Sequence, residues 1–154
     1  MPLSASSPKI LATVCADMQA VVNKCAATFP LVMVVDQGNR TAEQEMALWL
    51  ASHNIDGTEN GEPWRTGCNG YPKGAVAPNG AIGTGVSRHQ GGKAVDIVVQ
   101  KNGKIIWAGT DPVYLQLAEA MKKAAAELNI PLTCGRDFPP PSKPDFDHFE
   151  ITES

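Results

Sequence analysis

The chain has 154 residues, 43% hydrophobic and 19% charged, and its 13 Lys plus Arg against 16 Asp plus Glu leave a formal charge of -3. That length suits one domain, 1–154, with a core that needs no staples, and the composition excludes disordered, collagenous and disulfide-dense chains. The acidic balance speaks against a nucleic-acid partner, which needs a basic face, and no apolar run approaches the roughly 20 residues that cross a bilayer, so a soluble chain without membrane insertion is expected.

At the start of the chain, Asp17, Gln19 and Lys24 interrupt every stretch long enough for the apolar region of a signal peptide, so none is expected. Val14 stands before Cys15 where a lipoprotein signal needs a small residue. Leu11, Cys15, Met18, Val22, Cys25 and Phe29 recur at steps of four and three, which predicts one amphipathic helix with these residues on its buried face. The four cysteines form no CxxC pair, and Cys15 and Cys25 on one helix stand about 15 Å apart, too far to bridge, so reduced thiols and cytosolic synthesis are expected.

Leu31 to Val35 reads as a short buried strand ending in the turn cluster Asp36-Gln37-Gly38-Asn39. Thr41 with Gln44 three residues later is a capping box, which predicts a helix from Ala42 to His53. His53 then closes that helix, favoured there by the dipole. From Asn54 to Val86 the chain is rich in Gly, Asn and Pro and nearly aperiodic. Such a loop is functional more often than not and lines or covers a site.

Ala94 to Gln100 reads as a strand, and Asn102-Gly103 predicts a tight hairpin into a second strand from Ile105 to Ala108. Asp111 and Pro112 open a third helix carrying Tyr114, Ala118, Met121, Ala125 and Leu128, which Asn129 and Pro131 end. Leu132 to Gly135 is a further strand. Pro139, Pro140 and Pro141 force an extended loop before a last strand from Asp147 to Thr152. The expected fold is α+β, a small antiparallel sheet packed with about three helices.

Two of the three histidines lie in segments dense with carboxylates, Ser87-Arg88-His89-Gln90-Gly91-Gly92-Lys93-Ala94-Val95-Asp96 and Asp145-Phe146-Asp147-His148-Phe149-Glu150. Imidazole and carboxylate are ligands that zinc accepts, and a catalytic zinc takes three of them while leaving room for a water whose pKa it lowers. His89, Asp96 and His148 fill those three places, at the face of the sheet. Gly91 and Gly92 allow a sharp turn between the first two. Asp145 is the candidate general base, provided that it sits in a turn before the last strand, because residues three apart in a strand point to opposite faces. Arg40 offers a fixed cation for a developing oxyanion.

The pattern SxHxxGxAxD, here Ser87, His89, Gly92, Ala94 and Asp96, followed by DxxH, here Asp145 and His148, resembles the zinc D-alanyl-D-alanine carboxypeptidase family. That family includes the vancomycin-resistance dipeptidases and the phage L-alanyl-D-glutamate endopeptidases. Gly38, Arg40, Thr41 and Gln44 match its segment after the first strand, and Asn102-Gly103-Lys104-Ile105 with the following helix is most similar to single-domain phage endolysins. The resemblance implies zinc on His89, Asp96 and His148, Asp145 as general base, Arg40 polarising the scissile carbonyl, and Ser87 near the substrate or ordering its loop. Glu150 orients His148 from behind or is a solvated strand residue, and Asp147 is a second carboxylate available as base. Cys134 before Gly135 and Asp147 before His148 depart from the family's usual aromatic and Pro.

The implied function is a zinc peptidase acting on the stem peptide of bacterial peptidoglycan at the L-alanyl-D-glutamate bond, as a monomeric endolysin. It would be made in the host cytoplasm and reach the wall after membrane permeabilisation. The alternatives are cleavage at D-alanyl-D-alanine, or a zinc-stabilised virion or binding protein without turnover.

Overall fold

The computed structural model describes residues 3–140 and 144–152, so Pro141 of the predicted proline loop lies outside the described residues. Apolar residues at helical and alternating spacing fold the chain into two compact units, Met1–Asn39 with Gly91–Ser154, and Arg40–Gln90.

In the first unit, α1 (Ser7–Leu11) and α2 (Ala16–Thr28) lead into β1 (Val32–Gln37). After the second unit come β2 (Ala94–Lys101), β3 (Lys104–Ile105), α4 (Pro112–Glu127), β4 (Leu132–Cys134), a 3-10 turn (Gly135–Asp137) and β5 (His148–Ile151). The five strands form one sheet in the order β1-β2-β5-β4, with β3 on β2, and every pairing is antiparallel. This is the expected α+β class.

Alternation decides the two faces of the sheet. Val95, Ile97 and Val99 of β2 join Met33, Val35, Phe149 and Ile151 in the core, together with Met18, Val21 and Val22 of α2 and Leu117 and Met121 of α4. Ala94 and Asp96 point the other way, and the register sets Asp96 against His148 and Ala94 against Glu150. The outer edge of β1 is covered by the N-terminal segment. Ser4 donates its N–H to the Met33 carbonyl at 2.9 Å, and the Ser7 hydroxyl accepts the Val35 N–H at 2.8 Å.

The predicted first helix is two. Leu11 ends α1 and Cys15 caps α2, because the chain between them turns to bond elsewhere. The Cys15 N–H donates to the Gly92 carbonyl at 2.8 Å, and the Thr13 hydroxyl donates to the Ile10 carbonyl at 2.6 Å. The apolar stripe survives the break, with Leu11, Met18, Val22, Cys25 and Phe29 all buried.

The second unit is built on α3 (Ala42–Leu50), whose capping box is formed as predicted, with Thr41 and Gln44 bonded reciprocally. The helix stops short of His53. That ring instead stacks on Trp49 at 4.6 Å between centroids, and its Nδ1 lies 3.0 Å from the Trp49 carbonyl, so it closes the helix by contact. Met46 and Trp49 pack with Ala77 and Ala81 in a small core. The Gly-rich stretch 54–86 has no helix or strand and folds back through isolated bridges such as Tyr71 with Gly85.

Candidate metal centre

The first unit brings together Asp96, Asp145, Asp147, His148 and Glu150. Antiparallel pairing of β2 with β5 puts Asp96 and His148 side by side, and His148 Nδ1 lies 3.3 Å from Asp96 Oδ1. Glu150, two residues on and so on the same face, stands with Oε1 2.9 Å from His148 Nε2. A carboxylate at Nε2 fixes the hydrogen on that nitrogen and turns the Nδ1 lone pair toward Asp96. Two acceptors then face each other, and they need a proton or a cation between them.

Electrostatics agree with that reading. Burial of the His148 ring opposes its charged form, yet the hydrogen bonds with Asp96 and Glu150 and the charges of Asp96 and Asp145 outweigh burial and push its pKa up to about 10. In the absence of a metal ion, a proton serves as the cation. Oxygen atoms of Asp96, Asp145 and Asp147 all lie within 4.8 Å of one another. Burial, the hydrogen bond with Asp145 and the charges of Asp96 and Asp145 push the Asp147 carboxyl up to about 8. The donor set therefore suits a hard or borderline divalent cation.

Asp145 occupies the turn before β5, as its proposed role requires. Its carbonyl accepts the His148 N–H at 3.3 Å, and its own N–H donates to the Gly135 carbonyl at 3.0 Å. Gly135 is a support that sequence reasoning missed. A Cβ there would stand 2.4 Å from the Asp145 carbonyl oxygen and 2.9 Å from His148 Cβ, so only glycine lets the 3-10 turn lie against Asp145. The Asp147 carbonyl continues the ladder by accepting the Ile97 N–H at 2.8 Å. Beside the carboxylates is a cavity of about 170 Å³ lined by Trp107, Tyr114, Asp145, Phe146 and Asp147 among others.

The second unit holds Arg40, Ser87 and His89. The Arg40 N–H donates to the His89 carbonyl at 2.9 Å, tying the two segments together. Ser87 Oγ accepts the His89 N–H at 3.2 Å, and the Ser87 N–H donates to Gln90 Oε1 at 2.9 Å, so this serine orders the loop. The Arg40 guanidinium pairs with Glu45 at 3.1 Å. Glu45 is fully buried, and sequence reasoning missed it. Its signal was its place beside Met46 and four residues before Trp49, on the apolar face of α3.

Residues 78–151 match the sequence profile of the phage L-alanyl-D-glutamate peptidase family. That match covers just under half of the chain. No curated protein matches this chain. Among solved structures, its fold is similar to that of the L-Ala D-Glu endopeptidase ChiX of Serratia marcescens, with a TM-score of 0.69 and 22% identity, covering 99% of this chain and 90% of that one. The matched span contains Ser87, His89, Asp96, Asp145 and His148, whereas Arg40 and Glu45 lie before it.

Proposed function

We propose that this chain is a zinc-dependent peptidoglycan endopeptidase of the endolysin type that cleaves the L-alanyl-D-glutamate bond of the stem peptide. Its two units then act as one catalytic domain, a monomer made in the host cytoplasm and working on the wall. The profile match supports the bond. The observation that carries the metal reading is the facing acceptor pair of His148 Nδ1 and Asp96 Oδ1, with Glu150 behind the ring.

On this reading His89, Asp96 and His148 would hold the ion, since two imidazoles with one carboxylate suit zinc. Such an ion supplies an electrophile for the peptide carbonyl and acidifies water. The remaining chemistry falls to the chain. Asp145 takes a proton from the attacking water and delivers it to the leaving amine. Burial and the hydrogen bond with Asp145 favour the protonated form of Asp147. Arg40 donates to the carbonyl oxygen as negative charge builds there. Glu150 holds the His148 tautomer, and Ser87 fixes the backbone that presents His89.

Purified protein should cleave isolated peptidoglycan, lose that activity on thorough chelation and regain it with zinc. Mass spectrometry of the products should show new amino termini on glutamate. Release of terminal alanine would move the site to D-alanyl-D-alanine, and cleavage that survives complete metal removal would end the reading.

A further inference from the structure

Glu45 has no exposed surface, and a carboxylate is almost never buried so fully unless it is paired. Its partners are named by the geometry. Oε2 accepts from Arg40 Nη1 at 3.1 Å, Oε1 accepts from the Thr66 hydroxyl at 2.9 Å, and the Cys68 thiol donates to Oε1 at 3.8 Å. The loop is shaped to fit it. At Gly70 a Cβ would stand 2.9 Å from Glu45 Cβ and 3.1 Å from the Ala42 carbonyl oxygen, so the backbone passes against α3 where a larger residue would not.

Arg40 is thereby held at both ends. Its N–H is fixed on the His89 carbonyl, and its guanidinium, with the side chain only 12% exposed, is fixed on Glu45. The same loop reaches His89 by another route. Gln90 Nε2 donates to the Gly70 carbonyl at 2.8 Å, and Gln90 Oε1 accepts the Ser87 N–H. A buried ion pair adds little net stability, because desolvation of both charges offsets their attraction. What it does supply is one orientation for a long side chain that would otherwise sample many.

We propose that Glu45 is a positioning residue that aims the Arg40 guanidinium for the reaction, with Thr66 and Cys68 as the donors that hold its carboxylate in place. This rests on the role given to Arg40 above. A misplaced catalytic group costs up to about a hundredfold in rate without loss of binding, so the effect belongs in kcat.

The test is a cycle of zinc-loaded wild type, Glu45→Gln, Arg40→Ala and the double variant, assayed on a soluble peptide containing the L-alanyl-D-glutamate bond, with metal content and melting temperature measured alongside. Glu45→Gln should lower kcat by about 10- to 100-fold, leave KM within about twofold and leave metal content unchanged. In the Arg40→Ala background it should change kcat by less than about twofold. Should Glu45→Gln fail to fold, Thr66→Val replaces it, with a loss of about three- to tenfold in kcat that vanishes in the Arg40→Ala background. Losses that multiply across the two backgrounds, or a wild-type kcat in Glu45→Gln, overturn the inference alone. Arg40→Ala turning over at the wild-type rate overturns the reading of Arg40 and this inference with it, and a wild type that cleaves no peptide overturns both at their root.

Discussion

His148 meets a different carboxylate at each ring nitrogen, and this division of labour is the residue-scale fact on which the chemistry turns. Removing the rear partner should loosen the ring without touching Asp145. Glu150→Gln is expected to weaken zinc binding by about 10- to 100-fold, measured by titration against a competing chelator. Asp145→Ala should do the reverse, keeping zinc content while hydrolysis is lost, and a comparison of bound metal with turnover on the same sample separates the two. That Asp96 and His148 come together was legible in the sequence because ligand chemistry imposes fixed residue types at fixed spacings. Glu45 and Gly135 were not. A glutamate on a helix and a glycine in a loop carry no such signal until the chain that packs on them is known.

At the scale of elements, periodicity found most helices and strands, and tertiary bonds explain where it failed. The stripe from Leu11 to Phe29 keeps helical spacing across a break, because the Cys15 N–H is claimed by Gly92 and no local pattern encodes a partner so distant in sequence. The second hairpin strand was expected to reach Ala108 and ends at Ile105. Its continuation is taken over by Tyr114, whose hydroxyl donates to the Ile106 carbonyl at 2.6 Å and accepts the Val99 N–H at 3.1 Å. The turn itself was readable, since Asn102 and Gly103 both adopt positive φ, 53° and 77°, as a type I′ turn requires. Tyr114→Phe should leave both backbone groups unmade and destabilise the fold by about 1–3 kcal/mol, a shift that urea denaturation followed by circular dichroism resolves.

For the molecule as a whole, the four cysteines report on how tightly each unit is closed. All are free thiols, and burial pushes both Cys25 and Cys134 up to about 11 from the ordinary 9.0. The thiolate is the reactive form, so a rise of this size cuts its share near pH 8 by about a hundredfold. Iodoacetamide at that pH should modify the partly exposed Cys15 first and reach Cys25 and Cys134 only in denaturant, as peptide mass spectrometry over a time course would record. The long Gly-rich stretch was recognised as a loop, but its own small core around Trp49 was not, because its contacts are made by scattered single residues. The ends of the second unit, Arg40–Gln90, are stitched. Asn39 Oδ1 accepts the Gly91 N–H at 3.1 Å on one side of the junction, and Arg40 bonds to His89 on the other. A segment whose two ends meet in this way behaves as a cassette. Descent can lengthen it, shorten it or trade it for another, while the strands bearing Asp96 and His148 stay as they are.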